Sequence, residues 1–178
     1  MKKTILIKGF VLALTGIFLS SITWAQNARQ SPPATTYGKV NGATIIIKYS
    51  SPAVKGRKIW GGLVPYDKVW RAGANEATLF TTDRAILVEG KSLPAGNYSL
   101  YAIPGENEWI IIFNSAIGQW GIKTDGSGAT TQDPAKDVLR VTVKPEISTE
   151  FNERLTYMVN VNGFALYWEN LQVPVSIK

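Results

Sequence analysis

The stretch VWRAGANEAT, residues 69–78, places an indole, a guanidinium, an amide and a carboxylate close together at Trp70, Arg71, Asn75 and Glu76. Two arrangements suit these groups. In one, Arg71 and Glu76 pair across a tight turn centred on Gly73 while Asn75 bonds nearby backbone, stapling a loop to a sheet. In the other, the same side chains form a polar pocket beside Trp70 that grips a ligand carboxylate, a sugar hydroxyl or a peptide end. Extended backbone at 69–71 sends Trp70 and Arg71 to opposite faces, one into the core and the other to a surface.

Two further groupings have chemical potential. In SSPAVKGR, Lys55 and Arg57 flank Gly56, whose neighbouring amides suit an anion-binding nest; the alternative is a solvated basic loop. Gln119-Trp120-Gly121 offers either a flat stacking platform for a sugar ring or an indole that plugs the end of a sandwich. Trp60, Trp109 and Trp168 lie in or beside apolar strand patterns and read as core.

The residue inventory excludes whole classes of chemistry. The chain has no histidine and no cysteine, which removes Ser-His-Asp and Cys-His catalysis, the usual zinc sites and any disulfide. Catalysis would have to run on Asp, Glu, Lys, Tyr or a carboxylate-held metal. Asp67, Glu76 and Asp137 are the carboxylates near the irregular regions. A glycoside hydrolase needs two of them at a defined separation, with Glu76 as candidate acid or base and Arg71 placing its charge. The run Asp125-Gly126-Ser127-Gly128 lacks the repeated acidic ligands of a calcium loop. No cofactor and no metal are expected.

The elements that must position these residues are short and β-rich. Leu155, Tyr157, Val159 and Val161 alternate with polar neighbours, as do Leu171, Val173, Val175 and Ile177, the period of strands with one wet face. Nine strands are expected, at 44–50, 77–82, 85–90, 97–103, 109–114, 137–143, 154–161, 164–169 and 171–177. Asn162-Gly163 and Asn41-Gly42 are hairpin signals, because both residue types tolerate positive φ. The expected fold is all-β, an antiparallel β-sandwich of jelly-roll or immunoglobulin-like type. Two long loops, 51–75 and 115–136, break its rhythm, and loops of that length are where function concentrates.

The first 25 residues carry basic Lys2 and Lys3, an apolar run and small residues before Ala25, the three parts of a secretory signal. Cleavage after Ala25 leaves a polar, Pro-rich leader at 26–36 and one domain at 37–178, with no stable membrane span. It also removes three of the 19 basic residues, leaving 16 against 13 acidic ones. A net charge of +3 without basic runs gives no nucleic-acid footprint. Without disulfides, stability must come from burial.

Taken in order, YSSPAVKGRKIWGGLVPYDKVWRAGANEATLF, GKSLPAGNYSLYAIPGENEWIIIFN, QWG and DVLRVTV resemble the bacterial exported DUF2911 family, a domain of unknown function, over 37–178. The resemblance implies an exported single β domain and brings no reaction, cofactor or catalytic residue. The first functional expectation is therefore a noncatalytic periplasmic or secreted module that binds a small molecule, glycan or peptide. A carboxylate-dependent hydrolase and a purely structural envelope protein are the alternatives. Mass spectrometry of the exported protein should give a mature chain beginning at Gln26; an intact N-terminus would overturn the signal reading.

Overall fold

A computed structural model describes residues 29–178; the expected signal segment and its cut after Ala25 lie outside the described residues. The period-two segments form ten strands: β1 Pro33–Val40, β2 Ala43–Ser50, β3 Thr78–Thr82, β4 Ile86–Val88, β5 Lys91–Leu93, β6 Gly96–Pro104, β7 Trp109–Asn114, β8 Asp137–Val143, β9 Glu146–Asn160 and β10 Gly163–Ser176. The only helical turn among the described residues is a 3-10 turn at Pro134–Lys136. None of these elements is a helix long and apolar enough to cross a membrane. The architecture is an all-β sandwich.

One layer is a sheet of order β1-β2-β3-β6-β7-β8, antiparallel at every step. Consecutive strands are neighbours throughout except between β3 and β6, where the β4-β5 hairpin leaves for the other layer. There Val88 bridges Ile177, and Leu87 exchanges backbone hydrogen bonds of 2.8 and 2.9 Å with Lys178. The long β9-β10 ribbon supplies most of that second layer. Alternation explains the packing: β2 buries Ala43, Ile45, Ile47 and Tyr49, while Lys48 faces solvent. Phe80 of β3 meets Phe113 of β7 at 5.1 Å and Phe164 of β10 at 5.6 Å, joining the layers through aromatic contacts.

Turn chemistry fixes the register. Asn41 (φ 48°) and Gly42 (φ 81°) form the positive-φ pair expected of a tight β1-β2 hairpin, and Glu89 (φ 48°) with Gly90 (φ 78°) repeats it between β4 and β5. The β9-β10 hairpin differs from expectation. Its two-residue loop is Val161-Asn162, with Asn160 paired to Gly163. Gly163 is needed for another reason: β10 bends near Glu169 (φ 55°) and brings the Ile177 amide back to the Asn162 carbonyl at 2.8 Å. A Cβ on Gly163 would lie 2.0 Å from the Val175 oxygen.

Three boundaries shift. The expected leader at 26–36 overlaps β1, whose residues Pro33 to Thr36 pair with Ser50 to Ile47. Proline is tolerated there because it opens a strand at the sheet edge. The segments 164–169 and 171–177 are largely one bent strand, β10, and β5 is a short strand that alternation does not reveal. Urea denaturation should show Gly163→Ala losing about 3 kcal/mol or more. Gly90→Ala, where a Cβ meets nothing within 4 Å, should lose only about 1 kcal/mol.

Candidate functional site

The first long loop is held by aromatic packing. Trp60 lies 4.9 Å from Trp109 of β7, 5.7 Å from Trp168 of β10 and 5.9 Å from Trp70, ring centroid to centroid and edge-on in each case. Edge-on pairing sets the positive rim of one indole against the negative face of another. The indole N–H groups of Trp60, Trp109 and Trp168 are all buried without a hydrogen-bond partner among the described residues. Trp70 exchanges backbone hydrogen bonds of 2.7 and 2.9 Å with Ala102 of β6, so the residue after it starts from a fixed position. Trp70 packs into this cluster, and Arg71 turns towards Gly121 of the second loop.

Beyond Arg71 the backbone is strained into a tight arch. Ala72 (φ 51°) and Asn75 (φ 58°) both adopt the left-handed region, which residues with a Cβ rarely visit. The Ala72 carbonyl is pinned by the Thr78 hydroxyl at 2.9 Å and the Tyr157 hydroxyl at 2.8 Å. Burial raises the Tyr157 pKa well above its ordinary value, keeping the hydroxyl a donor.

The staple exists, but its partners differ from those expected. Arg71 does not pair with Glu76. The Glu76 carboxylate accepts from Arg29 Nη1 at 2.7 and 3.0 Å and from Ser50 Oγ at 3.3 Å, and Asn75 Nδ2 donates to the Ser31 carbonyl at 3.1 Å. Both side chains tie residues 29–32 across the arch. A backbone hydrogen bond at Glu76 itself, followed by Arg29 and Ser50, holds this carboxyl below its ordinary pKa against a smaller opposing effect of burial. A glycosidase general acid requires the opposite shift, and the depression lined by Glu76 includes no second carboxylate. Glu76 therefore lacks the surroundings of a paired-carboxylate acid.

The two long loops converge. Glu76 bridges Trp120, the Gly121 amide donates to the Asn75 carbonyl at 2.9 Å, and the Ala77 amide donates to the Gln119 carbonyl at 3.2 Å. Gln119 Nε2 reaches Ser99 Oγ at 3.1 Å and the Tyr101 hydroxyl at 2.9 Å, fastening the second loop to β6. Gly121 is where the loops touch most closely, since a Cβ there would sit 2.2 Å from Arg71 Cδ. Trp120 is 44% exposed, so it does not plug the sandwich.

Lys55, Arg57, Trp70 and Arg71 share one cavity of 280 Å³, together with Ser31 and Trp168. Of the two readings at Gly56, the anion nest is compromised, because the Lys55 amide already donates to Glu153 Oε1 at 3.0 Å. Arg57 spends Nε and Nη2 on the Val54 and Ala53 carbonyls. Arg71 is different. Its Nε is buried without a hydrogen-bond partner, and none of the ion pairs among the described residues includes it. Desolvation lowers its pKa from the ordinary arginine value, though a guanidinium remains charged at neutral pH.

The candidates thus divide. Lys55, Arg57, Trp70 and Arg71 line the cavity, while Asn75, Glu76 and Trp120 lie on the adjoining ladder. Sequence reasoning missed Arg29, Ser31 and the contact of Gly121 with Arg71. The first two sit in a stretch whose composition resembles a leader, while Trp168, read as core, is buried as expected. The Gly121 signal was its position after Trp120, but its packing against Arg71 spans 50 residues of chain.

The model of the DUF2911 family, described as a protein of unknown function, matches residues 31–177. No curated protein and no solved structure matches the chain.

Glu76 should contribute to docking of residues 29–32 in a pH-dependent way. Its folded pKa is depressed, so the contribution is present above the unfolded value near 4.5 and disappears as pH falls through the lower folded value. Hydrogen exchange at the Ser51 amide, which donates to the Pro32 carbonyl at 2.8 Å, should report it. Glu76→Gln should reduce protection by no more than about fivefold at pH 7, the scale of an exposed ion pair, and flatten the acid dependence. Unchanged protection in the variant would show that the pair does not hold the segment.

Proposed function

The chain belongs to the DUF2911 family, and from that premise, which carries no reaction with it, we propose that the protein is a noncatalytic binding module of the bacterial cell envelope, exported by its N-terminal signal. Its site is the cavity beside the convergence of the two long loops. The observation that carries this reading is Arg71: a partly buried arginine whose stem packs on Gly121, which lines a cavity together with Lys55 and Arg57 and enters no ion pair among the described residues. A charge-assisted hydrogen bond from such a guanidinium to a ligand acceptor contributes about 1.5–3 kcal/mol. Trp70 and Trp168 add apolar wall, the usual complement to a few fixed polar groups in a binding pocket. Trp120 stands exposed on the adjoining ladder as a secondary contact.

Binding by this site needs little rearrangement, because loop anchors, strained arch and second loop already fix Arg71. Such preorganisation reduces the ordering entropy that binding must overcome. Glycan and peptide arrays probed with the mature protein should show retained ligands whose signal falls at least about tenfold in Arg71→Ala. Trp120→Ala should cause a smaller loss of about two- to fivefold. Retention that neither substitution changes, or no retention on the arrays together with no binding of small soluble ligands, would return the chain to the purely structural envelope reading.

A further inference from the structure

We infer that the Arg71 cavity recognises a carboxylate carried on a short apolar body, such as a peptide's C-terminal residue or a small free organic acid. This rests on the binding-module reading and adds the chemical class of the ligand.

Charge sets the sign. Lys55, Arg57 and Arg71 line the cavity and no aspartate or glutamate does, so it favours an anion. Among the three cations, Lys55 is exposed on its turn and Arg57 is engaged by backbone carbonyls. Arg71 lines the cavity without an ion-pair partner among the described residues, and its planar guanidinium matches the two oxygens of a carboxylate.

Size and wall chemistry set the class. At 280 Å³ the cavity falls just below the range of about 300–1,000 Å³ typical of drug-sized ligands. Leu63 and Trp70 supply the apolar part of the wall, with Val64 and Trp168 buried behind it, which suits a small hydrocarbon group beside the polar lining. A phosphate dianion would seek several convergent donors, including backbone amides. The Lys55 amide is committed to Glu153. A monoanion with one apolar substituent fits the cavity's chemistry better than a phosphate does.

Gly121 makes the recognition specific. With no Cβ at 121, Arg71 Cδ lies directly against the second loop, which restricts the rotamers of the side chain. The arch from Ala72 to Asn75 fixes its backbone.

Titration of the mature protein, followed by the Arg71 guanidinium resonance and by calorimetry, tests the assignment with four probes: N-acetylvaline, 3-methylbutanoate, N-acetylvalinamide and inorganic phosphate. Both acids should shift the resonance, and the amide and phosphate should bind at least tenfold more weakly. Tighter binding of N-acetylvaline than of 3-methylbutanoate assigns a peptide terminus, and the reverse assigns a free acid. Arg71→Lys should weaken the acids at least tenfold, and the exposed Lys55→Gln two- to threefold. If Arg71→Lys disturbs the tryptophan near-UV signal, the acid-against-amide comparison in the unaltered protein decides. Equal affinity for acid and amide, or preference for phosphate, would overturn the assignment. If the arrays show Arg71-dependent retention and neither acid binds, the carboxylate class falls and the binding module stands; if the arrays also fail, both fall.

Discussion

Four indoles drawn from distant parts of the chain meet at one end of the sandwich, and the rest of the site depends on that meeting. Trp109 belongs to the large sheet, Trp168 to the bent ribbon, and Trp60 and Trp70 to a loop without regular strands. Deleting a buried large aromatic typically costs about 3–5 kcal/mol. The loop that these rings hold carries Lys55, Asp67, Ala72 and Asn75 at positive φ, each an expense of order 1–3 kcal/mol at non-glycine positions. Backbone hydrogen bonds to β6 and β9 add support. Without the aromatic cluster, nothing in the composition of 51–75 would keep so many unfavourable conformations in place.

This explains why a loop can serve as a rigid platform here. Trp70 is locked by its ring contacts and by two hydrogen bonds to Ala102, so the next residue inherits a defined position. The second loop fits against Arg71 through Gly121 and closes the arch from outside. The two long loops that break the strand rhythm are therefore packed on one another. Their order comes from tertiary contacts rather than from local propensity.

Much of the fold was legible because burial in a sandwich imposes period two, and β2 and the 171–177 half of β10 obey it closely. Core assignments for Trp60, Trp109 and Trp168 followed from the same logic, as did the Asn41-Gly42 turn. The start of β1 was hidden because Pro33, Ala34, Thr35 and Thr36 have the composition of a leader, and pairing with β2 is a nonlocal fact. Of the candidate site, the residue types were legible and their partners were not. Arg71 and Glu76, five positions apart, invited an ion pair, yet the partner of Glu76 is Arg29, 47 positions away. Nor could spacing show that the two loops share a ladder.

That exchange of partners gives the stretch VWRAGANEAT its division of labour. Trp70 serves the aromatic cluster. The Ala72 carbonyl anchors the arch to Thr78 and Tyr157, and Gly73 fits beneath Thr78, where a Cβ would approach its hydroxyl to 2.7 Å. Asn75 and Glu76 hold residues 29–32. Asn75 and Glu76 each have an internal partner, and that of Glu76 is Arg29 rather than Arg71. Arg71 is consequently left charged, fixed and incompletely bonded beside a cavity. Because Glu76 is routed to a distant arginine, Arg71 is without a carboxylate partner among the described residues.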